Sequence, residues 1–231
     1  MRNIRVWGTA VVTIAVLALP FVGGAGPGLA ASAHADSIEN DRASSPVGTA
    51  GVKSGTLERR AMALATGIPC PSPLAGVADG RVDERVSPLG VAGTQRDDLV
   101  SFAAAFNTIR AENCLEPIPF DNFTWDSCME DRLFWMAEDP STDPLSAWGH
   151  LGSKRSDGKP SVGCDGNIAG GPANTGSTVA WKWWVSDAHR ASLYRPGSDS
   201  ANVCIAFAMT HGGIPNENPD FTRAAARWYD C

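Results

Sequence analysis

The chain has 231 residues, 19 Lys and Arg against 25 Asp and Glu, a formal net charge of −6, and 43% hydrophobic residues. So acidic a balance lacks the basic footprint that phosphate neutralisation requires, which excludes sequence-independent nucleic-acid binding and electrostatic docking on anionic lipid. Six cysteines, none in C-x-x-C spacing, argue against a zinc knuckle or a thioredoxin-type redox motif.

Arg2 and Arg5 precede an apolar run from Ala10 to Val22. A membrane-crossing helix needs roughly 20 apolar residues, whereas a secretory h-region needs about 7–15. Small residues follow and end in Ala33-His34-Ala35, an A-x-A site with cleavage after Ala35, and Ala31-Ser32-Ala33 offers a second. Residues 1–35 read as a signal peptide, so the product is expected to be secreted and extracellular, with no transmembrane segment in the mature chain. Cys70, Cys114, Cys128, Cys164, Cys204 and Cys231 all lie beyond the leader. In that compartment they are expected to form three disulfides, with fifteen pairings open.

Residues 36–95 are rich in Gly, Ser, Pro and Ala and poor in aromatic residues. They read as a low-complexity segment or linker, with a short helix over Leu57 to Thr66 and Cys70 as an anchor to the domain. Leu99, Phe102, Phe106, Ile109 and Arg110 recur at helical spacing, so Asp97 to Asn113 predicts an amphipathic helix, broken by Pro117 and Pro119. A second helix is predicted from Thr124, as N-cap, to Ala137, with Trp125, Met129, Leu133 and Met136 on one face and Pro140 beyond its end. Asp143 to Pro160 is loop-like and contains His150. Ile168-Ala169 reads as a short buried strand, and Ser177 to Ser186 as a third helix capped by Thr175 or Ser177. A helical turn over Asp187 to Tyr194 follows, then strands over Asn202 to Thr210 and Thr222 to Tyr229 around a turn-rich stretch. This order of elements predicts an α+β fold in packed layers.

Three segments, in chain order, resemble the CAP superfamily, named for cysteine-rich secretory proteins, antigen 5 and pathogenesis-related proteins and also known as the SCP domain. The first is Phe106-Asn107-Thr108-Ile109-Arg110-Ala111-Glu112, similar to the opening helix with its N-x-x-R. Pro119-Phe120-Asp121 and a helix leading to His150 follow it. The second is Gly163-Cys164-Asp165-Gly166-Asn167-Ile168-Ala169-Gly170-Gly171, similar to the G-E-N-I-A segment. The third, Trp183-Trp184-Val185-Ser186-Asp187-Ala188-His189-Arg190-Ala191-Ser192-Leu193, resembles the bacterial W-x-x-S-x-x-H-R-x-x-L pattern. The resemblance covers residues 96–231 and implies a disulfide-braced α-β-α sandwich of bacterial secreted type. It implies a cleft flanked by His150 and His189, with Asp165, Asn167 and Ser186 beside them. In several members the two histidines hold a divalent cation such as zinc together with two acidic side chains. Here Gly166 takes the place of the first of these, with Asp165 one residue earlier, and Ser186 takes the place of the second.

The expected function is a non-catalytic extracellular binding or interaction module, with a lipid, a sterol or a cell-wall glycan as ligand. The alternative is a divalent-metal-dependent hydrolase of peptide or cell-wall substrate, using His150, His189 and Asp165. Each residue also has a plainer reading. Asp165 suits a turn before Gly166, Ser186 a helix end, and Arg190 an ion pair with Asp187. His211, beside Gly212-Gly213, is expected to be exposed at a hairpin tip. Trp181, Trp183 and Trp184 are expected to fill the core and one cleft wall, with Trp181 and Trp184 on one helix face and Trp183 pointing elsewhere; Trp148 lies near His150. A platform stacking on a sugar or cradling a lipid is the other reading of these aromatics. Asn122-Phe123-Thr124 is formally a glycosylation sequon.

Overall fold

A computed structural model describes residues 54–231, apart from 197, 199, 201, 216 and 219. The segment read as a signal peptide, with its two A-x-A sites, lies outside the described residues. Among the described residues no helix is long and apolar enough to cross a membrane.

The helices are α1 (Ser54–Thr66), α2 (Arg96–Glu112), α3 (Ser127–Ala137), α4 (Gly176–Val185) and the single turn α5 (Asp187–His189), which continues as a π-helical turn over Arg190–Tyr194. The strands are β1 (Phe123–Trp125), β2 (Asn167–Pro172), β3 (Val203–His211) and β4 (Phe221–Asp230), in the order β1-β3-β4-β2. β1 runs parallel to β3, and the other pairs are antiparallel. The fold is mixed α+β.

β3 is buried along nearly its whole length because helices cover both faces of the sheet. Its side chains alternate in size. Ile205, Phe207 and Met209 join Leu99, Phe102, Phe106 and Ile109 of α2 and Val179, Trp183 and Trp184 of α4 in the larger core. Ala206 and Ala208, with Ala225 of β4, face Met129, Leu133, Trp135 and Met136 of α3. The small strand residues let the bulky α3 face approach. Stacking of Phe102 on Phe207 (4.3 Å between centroids) and of Phe106 on Tyr194 (4.2 Å) fixes α2 over the sheet.

The N-x-x-R pair of α2 is buried and structural. Asn107 donates to the Ile118 carbonyl at 2.7 Å and accepts from the Ile118 amide at 2.8 Å. Arg110 donates to the carbonyls of Glu116 (2.6 Å) and Tyr194 (2.7 Å). Burial pulls the Arg110 pKa down to about 10, against smaller opposing effects of Tyr194 and Glu116. The two side chains thus hold the proline-rich loop after α2 in place of secondary structure.

Of the fifteen pairings, the fold selects the sequential one: Cys70–Cys114, Cys128–Cys164 and Cys204–Cys231. The first ties the chain after α1 to the end of α2, the second ties the start of α3 to the segment before β2, and the third ties β3 to the chain end.

Two expectations are corrected. Thr124 does not cap α3: it lies in β1, its hydroxyl 3.0 Å from that of Tyr229, and Asp126 is the cap, accepting from the Met129 amide at 2.9 Å. Pairing with β3, distant in sequence, takes these residues from the helix. His211 is not at an exposed tip but ends β3, its Nε2 2.9 Å from Asp98 Oδ2 and its side chain 23% exposed. Trp183 and Trp184 are both fully buried, and Trp181 packs against the same core. The tryptophans of α4 thus fill the core, as expected.

The described part of the segment read as a linker contributes to the fold. Ala78 and Val91 are buried, Val86 and Ala92 form a bridge, and Arg85 pairs with Glu130 and Asp131. Thr94 donates to buried Glu130 through both its amide and its hydroxyl, each at 2.7 Å.

Helices α2 and α4 meet at Gly176, where a Cβ would collide with the Asp98 carbonyl and lie 2.6 Å from the Phe102 nitrogen. Overpacking a core costs about 1–3 kcal/mol, and a backbone wall cannot move aside. Gly176→Ala is therefore expected to lower the unfolding free energy by about 3 kcal/mol in urea titration; an unchanged midpoint would contradict this close approach.

Candidate functional site

The start of β2 is positioned from two sides. Its register against β4 pairs Asn167 with Ala226. The Cys128–Cys164 disulfide, supported by a 2.8 Å bond from the Cys164 amide to the Cys128 carbonyl, fixes the chain just before it. Gly166 has no room for a side chain: a Cβ there would lie 2.9 Å from the Ala226 carbonyl and 3.0 Å from Met129 Sδ.

Asp165 is thereby held against the long loop after α3. Its Oδ1 lies 2.8 Å from His150 Nδ1 and accepts from the Gly166 amide at 3.0 Å, and its Oδ2 accepts from the Leu151 amide at 3.2 Å. Burial acts to raise the Asp165 pKa, but the bond from His150 and the two backbone donors outweigh it and bring the carboxyl below its ordinary value. An ionised carboxylate only accepts, so the pairing places the proton of a neutral imidazole on Nδ1 and leaves Nε2 as an outward-facing acceptor. The surface is open: the His150 side chain is 65% exposed and that of Asp165 40%.

The loop of His150 is pinned by buried arginines. Arg132 of α3 donates to the carbonyls of Gly149 and His150, each at 2.6 Å. Arg155 donates to those of Trp135 (3.2 Å) and Glu138 (2.7 Å) at the end of α3. Trp148 joins the α3-side core, which leaves it partly buried beside the histidine.

The remaining candidates form a second group. Asn167 donates to the Ala226 carbonyl at 3.1 Å and accepts from the Ser192 hydroxyl, whose oxygen also lies 3.1 Å from the Ala188 carbonyl and 3.2 Å from that of His189, alternative acceptors for its single proton. Asn167 thus ties β2 to the turn that carries half-buried His189. Ser186 is the junction of α4 and α5: its amide bonds the Lys182 carbonyl and its own carbonyl accepts from the Arg190 amide at 2.8 Å. Arg190 pairs with Asp187 at 2.7 Å, as expected.

The structure therefore brings His150 and Asp165 together, and Asn167 next to the turn of His189. Among the described residues, the donor atoms of His150, Asp165 and His189 do not converge within 4.8 Å of one another. The one acidic and cysteine group that does, Asp126, Cys128 and Cys164, has both sulfurs in a disulfide. Asp165 already accepts three hydrogen bonds and Gly166 cannot carry a ligand, so this donor set does not fit a zinc site of two histidines and two carboxylates. Two cavities, of about 190 and 320 Å³, are lined by other residues.

Sequence reasoning missed Arg132 and Ser192. A signal for Arg132 was available: it lies three residues after Met129 and four before Met136, on the buried stripe of α3. The partner of Ser192 is 25 residues away, and nothing local announces it.

No family model, curated protein or solved structure matches this chain.

Because the Asp165 carboxyl is depressed in the fold, its contribution to stability is complete above the ordinary carboxyl value of about 3.9 and is lost as pH falls through the lower folded value. The difference in stability between the wild type and Asp165→Asn is expected to be flat near neutrality and to shrink below about pH 4. It should stay under about 1 kcal/mol because the pair is exposed to solvent. Thermal melts across pH check this, and a difference that grows on acidification would refute it.

Proposed function

We propose that this chain is a secreted, disulfide-braced CAP/SCP-type α-β-α sandwich protein that binds an extracellular ligand at the surface around His150 and Asp165, without catalytic machinery of its own. The carrying observation is the His150–Asp165 pair, an oriented imidazole whose outward nitrogen is free to accept. The resemblance of residues 96–231, the three disulfides and the helices on both sides of the sheet support the reading.

The His150–Asp165 pair is polar and exposed to solvent, and it lines neither of the two cavities described above. A hydroxyl-rich ligand such as a wall glycan suits it better than a lipid or sterol, which needs a dry groove.

The metal-dependent hydrolase has less support, because the donor atoms do not converge. Calorimetric zinc titration of the oxidised mature protein separates the two readings: micromolar binding lost in the His150→Ala/His189→Ala double variant would favour the hydrolase. For the binding reading, soluble cell-wall oligosaccharides are expected to bind the wild type, and His150→Ala to weaken that binding about tenfold, the worth of one hydrogen bond of about 1.4 kcal/mol. Equal affinity in wild type and variant would move the ligand surface away from His150.

A further inference from the structure

Arg132 lies on the buried stripe of α3 and is 1% exposed. Withdrawing a guanidinium from water is costly unless hydrogen bonds and opposite charge replace its hydration. Here only Nη2 is engaged, donating to the two consecutive carbonyls of Gly149 and His150. Nε and Nη1 are buried with no hydrogen-bond partner. The guanidinium carbon sits 4.3 Å from the centroid of the Trp135 ring. Burial lowers the Arg132 pKa, and the Asp165 carboxylate acts in the opposite direction. An apolar side chain would fill this place in the core at less cost, so packing does not explain the arginine.

What it holds does. The segment 149–152 has no strand or helix to fix it, and Gly149 adopts φ +142°, a conformation side chains rarely take. The His150 carbonyl is gripped by Arg132, by the Ser153 amide at 3.0 Å and by the Ser153 hydroxyl at 2.7 Å. From the other side, the Leu151 amide reaches Asp165. The backbone that carries His150 is thus clamped between a buried cation and the carboxylate its ring must meet.

We propose that Arg132 is the positioning residue of the His150–Asp165 pair: by holding the carbonyls of Gly149 and His150 from below, it sets the imidazole so that Nδ1 meets Asp165 and Nε2 faces outward. This deepens the reading of the His150 surface as the binding site and rests on it for its functional meaning, though the geometry is tested without any ligand.

The test reads which ring nitrogen of His150 carries the proton, by long-range proton–nitrogen NMR on the oxidised protein at an alkaline pH where imidazole is neutral. Wild type is expected to carry the proton mainly on Nδ1, and Asp165→Asn, the reference for a lost pairing, to show a changed ratio. Arg132→Met is expected to shift to the Asp165→Asn ratio while the His189 signals stay in place. Arg132→Lys keeps the charge but lacks the planar fork; it is expected to shift in the same direction and serves if Arg132→Met does not fold. A wild-type ratio retained in both variants, whatever stability they lose, would overturn the proposal, as would a wild-type ratio equal to that of Asp165→Asn. A shifted ratio in a protein that binds no oligosaccharide would leave Arg132 in its role and refute the functional reading. An unshifted ratio beside binding that His150→Ala abolishes would do the reverse.

Discussion

Burial of β3 and β4 on both faces is the constraint on which the rest of the structure depends. A strand covered on both sides must offer each layer a surface it can fill, and here the two surfaces differ. Ile205, Phe207 and Met209 interlock with α2 and α4, while Ala206, Ala208 and Ala225 make room for the bulky side of α3. Close approach of α3 brings Arg132 beneath the loop that carries His150. The register of β2 on β4 places the chain at Asp165 opposite that loop. The candidate site is a consequence of how the two cores are filled.

A second regularity concerns the buried arginines. Arg110, Arg132, Arg155 and Arg223 are each nearly inaccessible, and each donates to two main-chain carbonyls, in loops or in the last turn of a helix. Arg155 and Arg223 also have carboxylate partners, Asp157 and Glu217, whereas among the described residues Arg110 and Arg132 form no ion pair. A chain with long loops must find donors for carbonyls that no ladder satisfies, and a planar guanidinium serves two at once. In a protein of net charge −6 the overall field favours burying cations over anions.

The sequence made some elements legible and hid others, for identifiable reasons. Helix α2 was readable within a residue at each end because Leu99, Phe102, Phe106 and Ile109 repeat at the helical period and all enter one core. The local pattern narrowed the cap of α4 to Thr175 or Ser177, and it is Thr175, whose hydroxyl accepts from the Thr178 amide at 3.3 Å. The start of α3 was not: Trp125 fits the same apolar period, but a parallel partner some 80 residues away draws it into β1. Residues 78–95 looked like linker by composition, yet a few positions, Ala78, Val91 and Thr94, suffice to fasten them. His211 has an ordinary glycine-rich turn beside it, while its partner Asp98 lies 113 residues away.

By itself the sequence determined the α+β character, the main helices and strands and the presence of six cysteines outside the leader-like segment, because these depend on local periodicity and composition. It also singled out His150 and Asp165 as candidates. Only the tertiary structure decided which cysteines pair, that Asp165 meets His150, and that Gly166 is a packing position with no space for a side chain. These outcomes rest on approaches between segments far apart in the chain. Such contacts are set by how the layers fill space, and no local pattern encodes them.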